Sequence, residues 1–225
     1  MTIDSDQYAS KKMTYFSAPQ TDMGTFLPPR AERMLEIGCG TGATSAWFQQ
    51  HGRVGHTIGI DLFHSAVDVA QSCLDEAYVG NIETMPLPIE PASIDVILAN
   101  DVLEHLVDPW ASIRRLSSLL RPDGIFVARI PNVRSHHVIV PLVLRGEWRY
   151  EESGVLDRTH LRFFTEVGCR RLFEEAGMHV SRLDRCPLGP RSKQLNRITF
   201  GVFSGFLTMH HVVTAGLVSS PAARP

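Results

Sequence analysis

Three glycines and one downstream acid form the first group of residues whose spacing suits chemistry. The glycines alternate in Gly38-Cys39-Gly40-Thr41-Gly42 directly after a short apolar run, and Asp61 ends the next apolar run. Glycine lets a ligand approach bare backbone, and a helix that begins after such a loop presents unpaired N–H groups. A carboxylate at the neighbouring strand end can accept hydrogen bonds from two ribose hydroxyls. The spacing predicts a site for a nucleotide-like ligand, and Gly38-x-Gly40-x-x-Ala43 also satisfies the degenerate dinucleotide fingerprint.

Histidines form the second group, because a neutral imidazole can accept a proton near physiological pH. His105 follows the fourth apolar run, His136 follows the fifth, and His160 lies with Asp157 in a stretch dense in ionisable and aromatic residues. We expect His160 to be the leading candidate for a general base, oriented by Asp157. His105 and His136 are the other candidates. The alternatives are a structural or ligand-side role for His105 and simple solvent exposure for His136.

Arginine dominates the cations of the second half of the chain. Residues 1–113 hold 5 basic and 15 acidic side chains, whereas residues 114–225 hold 17 basic and 9 acidic ones. The guanidinium group matches phosphate and carboxylate oxygens, so we expect Arg158 and Arg162, together with Asn132, to contact a substrate. The alternatives are a solvated surface and a salt-bridge lock between these arginines and a neighbouring aspartate.

Five apolar runs and the amphipathic stretches between them must position these groups. Runs of strand length alternate with segments in which apolar residues recur at helical spacing. This alternation predicts an α/β fold with a doubly wound, mostly parallel sheet, which binds ligands at the carboxyl ends of its strands. We predict strands over residues 33–37, 56–61, 77–81, 94–99 and 125–130, and helices after Gly42, over 66–74 and over 109–120, before the turn Arg121-Pro122-Asp123-Gly124.

The alternation lapses after Pro131. Long segments without periodicity usually carry function, so we expect residues 133–164 to form an insert beside the site. Regular structure resumes at Thr165, which is placed to cap a helix that ends before Gly177. Two further strands are predicted, over 178–183 and 207–217.

Composition excludes several classes of protein. The formal net charge of -2 and the pI near 6.5 do not fit a general nucleic-acid binder. No stretch has the pattern of a secretory signal or the length of a membrane span, so we expect a cytoplasmic monomer or homodimer with neither a membrane nor a nucleic-acid partner. The four cysteines show no metal or disulfide spacing, so we expect free thiols and no metal site.

The string Leu35-Glu36-Ile37-Gly38-Cys39-Gly40-Thr41-Gly42 resembles motif I of class I S-adenosylmethionine-dependent methyltransferases. Glu36 favours this family over a dinucleotide-binding protein, because a pyrophosphate would meet its negative charge. Later segments resemble further motifs of the family in the same order: Gly80-Asn81-Ile82-Glu83 with Leu87-Pro88, Ile94-Asp95-Val96-Ile97 with Asn100-Asp101-Val102-Leu103-Glu104-His105-Leu106, and Leu119-Leu120-Arg121-Pro122-Asp123-Gly124. Residues 154–165 are similar to a stretch in type 11 and type 23 bacterial methyltransferases encoded beside glycosyltransferases. The resemblance implies a seven-stranded sheet whose last strand is antiparallel.

The resemblance also implies S-adenosylmethionine as the cofactor. The glycines of the loop would lie under its amino-acid moiety, Asp61 would hold its ribose, and Leu62 or Phe63 would pack near its adenine. Asn81 departs from the aspartate common at its place, which removes the charge from a hydrogen bond to the adenine; the alternative is a simple turn residue. The cofactor-binding residues expected in full are Glu36, Gly38, Cys39, Gly40, Gly42, Asp61, Leu62, Asn81, Ile82, Asn100, His105 and Tyr15.

The same resemblance implies how the chain is divided into a lid segment, a domain and an insert. Relatives carry an aromatic pair similar to Tyr15-Phe16 in a segment that folds over the cofactor, so we expect residues 1–30 to form an N-terminal lid or lead-in segment. Residues 31–225 are then a single methyltransferase domain, with residues 133–164 as its acceptor-side insert.

The implied reaction is methyl transfer to an oxygen of a small molecule, sugar or glycan, with S-adenosylhomocysteine as the product. Transfer from a sulfonium is an in-line displacement, so the enzyme mainly aligns acceptor and methyl group, and an oxygen of high pKa also needs a base. We expect no metal, and the arginine-rich half favours an anionic or sugar acceptor. The alternatives are N- or C-methylation of another small metabolite and a non-catalytic cofactor-binding partner protein.

Overall fold

The computed structural model describes residues 18–186, 190–198 and 200–218. Its strands are β1 (Ala31–Ile37), β2 (Val54–Asp61), β3 (Glu76–Val79), β4 (Ile94–Asn100), β5 (Leu120–Pro131), β6 (Met178–Arg185) and β7 (His210–Leu217). Its helices are α1 (Ala43–Gln50), α2 (His64–Ala70), α3 (Pro109–Ser117), α4 (His136–Arg145), α5 (Glu166–Glu175), α6 (Pro190–Ile198) and α7 (Ser204–Leu207). Two 3-10 turns cover Thr21–Thr25 and Leu103–His105.

The seven described strands form one sheet in the order β3-β2-β1-β4-β5-β7-β6. Strands β1 to β5 pair in parallel, and β7 runs antiparallel to both β5 and β6. The predicted fold class, a doubly wound α/β sheet with an antiparallel last strand, is confirmed. The chain order reverses at β1, which lies between β2 and β4, so a crevice is expected outside the carboxyl ends of these strands.

The central strands are buried on both faces, as their continuous apolar runs require. Leu35 and Ile97 pack into the core on one face of the sheet, whereas Met34 and Val96 pack on the other, and all four are fully buried. They lie opposite one another in the β1–β4 register. A shift of either strand by one residue would exchange the side chains on the two faces. Burial of both faces therefore fixes the register of β1 against β4, and with it the relative positions of their carboxyl ends.

Several element boundaries differ from the predictions: β2 begins at Val54, β3 ends at Val79 and α3 ends at Ser117. Strand β5 begins at Leu120, which pairs with Ile94, so residues 121–124 lie inside the strand, at a register shift, and do not form the predicted turn. Strand β7 begins at His210 because residues 204–207 form the short helix α7. Helix α2 begins at His64 and ends at Ala70, earlier at both ends than expected.

The segment 133–164 contains a helix, α4, that was not predicted. Apolar residues occupy nearly every position from Val138 to Leu144, so no helical period stands out in the sequence. The helix ends at Gly146, which has a φ of 67°. The predicted ends of the next helix are confirmed, since Thr165 Oγ1 accepts a hydrogen bond from Gly168 N and Gly177 has a φ of 86°. Within the described residues, every helix falls short of the length and apolar character that a bilayer crossing needs.

Candidate active site

A cavity of about 330 Å³ opens at the carboxyl edge of the sheet, where β1, β2 and β4 end. Ten of the twelve residues expected to bind the cofactor line it: Glu36, Gly38, Cys39, Gly40, Asp61, Leu62, Asn81, Ile82, Asn100 and His105. Gly42 begins helix α1 with a φ of 77° and lies outside this wall. Tyr15 lies outside the described residues, so its role and that of the N-terminal segment stay predictions.

The glycine loop needs glycine for its backbone and for its contacts. Gly38 has a φ of 68°, and a Cβ at this position would lie 2.5 Å from Val102 Cγ2. The backbone N–H groups of Gly38 and Cys39 both donate to the carbonyl oxygen of Ile60, at 2.8 and 3.3 Å. These bonds hold the loop against the end of β2, so its backbone forms a fixed part of the cavity wall.

Asp61 ties the glycine loop to the segment after β2. Its Oδ2 accepts a hydrogen bond from Gly40 N at 2.7 Å, and its Oδ1 accepts one from Phe63 N at 2.9 Å. Burial raises the pKa of the carboxyl, and the hydrogen bonds from Phe63 and Gly40 oppose that rise. Asp61 therefore both orders the loop and presents a carboxylate to the cavity.

Glu36 is a buried acid in the same wall. Its Oε2 accepts hydrogen bonds from the hydroxyl of Ser45 at 2.5 Å and from the Ser45 backbone N–H at 3.2 Å. Burial raises the pKa of the carboxyl from 4.5 to about 7, against these two bonds and with repulsion from Asp61 adding to the rise. The side chain is thus anchored to α1 and changes charge near neutral pH.

Asn81 closes a turn at the cavity wall, and its hydrogen bond to the adenine stays a prediction. It lines the cavity beside Ile82, and its Oδ1 accepts a hydrogen bond from Glu83 N at 2.8 Å, which closes a turn. Glu83 in turn accepts hydrogen bonds from the backbone N–H groups of Val107 and Asp108. The loop after β3 is therefore fastened to the segment after β4.

A polar group that sequence reasoning missed also lines the cavity, formed by Gln20, Asp101 and Arg129. Arg129 Nε donates to Asp101 Oδ2 at 3.0 Å, and Arg129 Nη1 donates to Gln20 Oε1 at 2.8 Å. His210 Nε2 lies 3.7 Å from Asp101 Oδ1. One indication of this group was present in the sequence, since Arg129 interrupts the apolar run of β5. No sequence pattern indicated that Gln20 would take part.

The structure brings His105 and His160 together but places only His105 on the cavity wall. His105 Nδ1 lies 3.0 Å from the carbonyl oxygen of Thr159. His160 is buried behind it, with ring centroids 4.7 Å apart in an edge-to-face arrangement. His160 Nδ1 lies 3.0 Å from the carbonyl oxygen of Val155. A residue lining the cavity can meet a substrate, so His105 is better placed than His160.

Glu104 completes this cluster and is 1% exposed. Burial first and then repulsion from Asp101 hold the pKa of its carboxyl well above its usual range. Its Oε1 lies 3.8 Å from His160 Nε2. One ligand atom from each of Glu104, His105 and His160 lies within 4.8 Å of the others, and among the described residues no other such group is found. Imidazole and carboxylate can bind a metal; the expectation of metal-free transfer stays a prediction.

Asp157 acts on His105 through an intermediate residue. Its Oδ1 accepts hydrogen bonds from the backbone N–H of Thr159 at 2.9 Å and from the Thr159 hydroxyl at 2.7 Å. Thr159 is the residue whose carbonyl oxygen lies against His105 Nδ1. Asp157 therefore holds the backbone that orients the cavity histidine.

The remaining predicted residues lie away from the cavity wall. Arg158 Nε donates to Glu152 Oε1 at 3.0 Å on the surface, and Arg162 donates to the Val107 carbonyl with its guanidinium 5.8 Å from the Trp110 ring. Asn132 is fully buried and donates to the carbonyl oxygens of Gly205 and Thr208, and His136 Nδ1 lies 3.4 Å from the Phe206 carbonyl. Substrate binding by Arg158, Arg162 and Asn132, and catalysis by His136, stay predictions.

Comparison with known proteins decides the family. Residues 7–183 match the model of a methyltransferase domain, well over half of the chain. The chain belongs to this methyltransferase family. It is an S-adenosylmethionine-dependent methyltransferase of class I, as the motifs around Gly38 indicated.

Individual relatives are distant from this methyltransferase. The ubiquinone biosynthesis O-methyltransferase of Aeromonas salmonicida is 27% identical over 169 residues, which cover 72% of this chain and 69% of the relative. A methyltransferase from Archaeoglobus fulgidus superposes with a TM-score of 0.65 at 13% identity, covering 93% of this chain and 96% of that one. The [4+2]-cyclase SpnF superposes with a TM-score of 0.63 at 17% identity, covering 88% and 80%. These structural likenesses show the fold alone, and the cyclase illustrates that one fold hosts different reactions.

Proposed function

We propose that this methyltransferase transfers a methyl group to an oxygen atom of a small molecule, sugar or glycan, with His105 as the general base and without a metal. The observation that carries the proposal is the place of His105, which lines the cavity and is oriented by the Thr159 carbonyl. The Aeromonas salmonicida relative is named an O-methyltransferase, which supports oxygen as the acceptor atom.

The cavity fits S-adenosylmethionine. Gly38 packs so closely against Val102 that a Cβ would lie 2.5 Å from Val102 Cγ2, and the loop backbone and this side chain together form part of the cavity wall. Asp61 would accept hydrogen bonds from the ribose, and Leu62 with Asn81 would contact the adenine. Glu36 would face the ammonium end. Carboxylates suit a ligand that carries a sulfonium and an ammonium.

The contact at Nδ1 of His105 favours the tautomer that a base requires. A carbonyl oxygen can only accept, so Nδ1 would donate to Thr159, and in the neutral ring Nε2 would be the nitrogen that accepts a proton. The cofactor supplies an electrophilic methyl carbon when it is bound. The hydroxyl proton of the acceptor would pass to His105 Nε2 as the acceptor oxygen takes the methyl group, and the imidazolium would then release the proton to solvent. Asp157 is a positioning residue in this scheme, since it acts through Thr159.

His105→Gln tests the proposal. Substitution should lower kcat by at least about a hundredfold, because general-base catalysis contributes roughly 10²–10⁴. The matched control is His179→Gln, an exposed histidine of β6, which should leave kcat unchanged. The measurement is transfer of labelled methyl groups to a panel of phenols, sugars and nucleotide sugars, with mass analysis of the product.

Several outcomes of the same assay would contradict the proposal. Product methylated on nitrogen or carbon would overturn the acceptor atom, and cofactor binding without any transfer would favour a non-catalytic partner protein. Activity lost on chelation and restored by a divalent cation would overturn metal-free transfer. Full turnover by His105→Gln would remove the base assignment. The cytoplasmic location and the monomeric or homodimeric state stay predictions.

A further inference from the structure

Helix α4 exposes apolar side chains over most of its surface. Val143 is 72% exposed and Leu144 is 76% exposed, and Val140 and Leu142 are exposed as well. Of its ten residues only Val138 is buried. A helix that is apolar all round is normally covered rather than solvated, and a contiguous exposed apolar surface marks an interaction site.

A second apolar segment lies beside α4. Four large apolar side chains between residues 198 and 203 are exposed, and Phe200 is 95% exposed. Helix α7 follows directly and contacts the start of α4: the Phe206 ring lies 6.0 Å from the His136 ring, and its carbonyl lies 3.4 Å from His136 Nδ1. Helix α7 therefore connects the second segment to the start of α4.

This surface lies at the edge of the sheet that holds the active-site cavity. Helix α4 follows the carboxyl end of β5, and α6 follows the carboxyl end of β6. Both strands run antiparallel to β7, so they point in the same direction. The apolar surface thus borders the side of the molecule from which an acceptor would enter.

Cations and an aromatic residue flank the apolar side chains. Arg145 and Arg149 are exposed on either side of Trp148, which is 37% exposed. Lys193 and Arg197 are exposed on α6. Tryptophan prefers the headgroup level of a bilayer, and basic residues are attracted to anionic lipids. Apolar side chains flanked in this way are typical of segments that lie in a membrane interface.

We propose that the surface formed by α4, Trp148 and the exposed residues of 193–203, here called the apolar–basic surface, binds peripherally to an anionic lipid bilayer. This revises the expectation, drawn from the lack of a spanning segment, that a membrane is no partner. Residues 190–203 carry three cations and no acid, whereas residues 134–152 carry three arginines and three acids, so the net positive charge of this surface comes from the second segment. A second copy on the same surface would bring like charges together, so charge favours the bilayer.

Cosedimentation of the full-length protein with lipid vesicles tests the proposal. The protein should bind vesicles of mixed phosphatidylcholine and phosphatidylglycerol, bind pure phosphatidylcholine much more weakly, and be released by salt. Val143→Asp/Leu144→Asp should lower binding at least about tenfold, because two exposed apolar side chains no longer enter the bilayer. The matched control is Val69→Asp/Val218→Asp, which adds the same charges at exposed valines away from this surface.

A second variant keeps the test decisive if the first fails to fold. Arg145→Ser/Arg149→Ser should retain the apolar contact but lose most of the preference for anionic vesicles. Folding of each variant is checked by binding of S-adenosylhomocysteine, and vesicle binding is measured without turnover, so the result is independent of the methyl acceptor. No binding by the wild-type protein, or equal loss in the valine control, would overturn the proposal. A dimer that dissociates in Val143→Asp/Leu144→Asp without lipid would also overturn it, in favour of a second copy.

Discussion

Glu36 is a buried carboxyl at the ligand site, and its pKa is raised. It is 3% exposed, accepts two hydrogen bonds from Ser45, and still has a pKa of about 7 because burial disfavours its charge. A carboxyl whose pKa is higher in the folded than in the unfolded chain stabilises the fold when it is protonated. Its contribution is complete below pH 4.5 and is lost as the pH rises through about 7.

Glu36→Gln should therefore flatten the pH dependence of stability. Between pH 4.5 and about 7 the free energy of unfolding of the wild-type protein should fall, relative to the variant, by about 3 kcal/mol. Urea unfolding at a series of pH values measures the difference, and the exposed Glu175→Gln on α5 is the control. Parallel curves for the wild-type protein and Glu36→Gln would show that Glu36 does not hold the proton.

His105 and His160 were both candidates for the general base, and the structure distinguishes them by their positions. The sequence placed both near the site, and the dense stretch around His160 favoured it as the base. The structure places the His160 ring behind that of His105, and Asp157 reaches His105 through Thr159. Which ring faces the cavity depends on packing between residues more than fifty positions apart, which no local pattern encodes.

Among the elements, the turn from β1 to α1 shows how local sequence determines a ligand site. A Cβ at Gly38 would meet Val102 at 2.5 Å while the backbone has a φ of 68°. Gly52 has nearly the same φ, 69°, but nothing lies within 4 Å of its Cβ position. A side chain at either glycine would meet the same backbone strain, but only one at Gly38 would also clash with a neighbouring side chain.

Gly38→Ala should destabilise the fold by more than Gly52→Ala does. Each should lose about 1 kcal/mol from the left-handed backbone, and the clash with Val102 should add roughly 1–3 kcal/mol in Gly38→Ala. Gly38→Ala should also weaken binding of S-adenosylhomocysteine, whereas Gly52→Ala should leave it unchanged. Thermal unfolding and calorimetry give the two quantities, and equal effects from the two substitutions would contradict this account of the loop.

Local sequence predicted the strands and glycine loop well and the insert poorly. Strands β1, β2 and β4 were recognisable because burial on both faces demands uninterrupted apolar runs. Helix α4 was missed for a related reason, since its apolar residues leave no period to detect. The pair of Arg129 and Asp101 was missed because it joins two strands that are adjacent only in the folded sheet.

At the scale of the whole molecule, the uneven charge distribution corresponds to two different surfaces. The acidic half of the chain supplies the carboxylates of Asp61 and Glu83 to the cavity wall, which suits a positively charged cofactor. The arginine-rich half supplies the insert and the apolar–basic surface. Arg129 is a cation of that half at the cavity, and its pairing with Asp101 balances its charge.

The most direct test of the central claim, that this cavity holds the cofactor, is calorimetric titration with S-adenosylhomocysteine. The wild-type protein should bind one molecule, and Asp61→Ala should weaken binding by about a hundredfold or more, since each lost hydrogen bond to a charged group is worth roughly 1.5–3 kcal/mol. Asp95→Ala is the matched control, because Asp95 also accepts two backbone N–H bonds, from Glu32 and Arg33, but at the opposite edge of the sheet; it should leave binding intact. Undetectable binding by the wild-type protein, or an equal loss in both variants, would contradict the account.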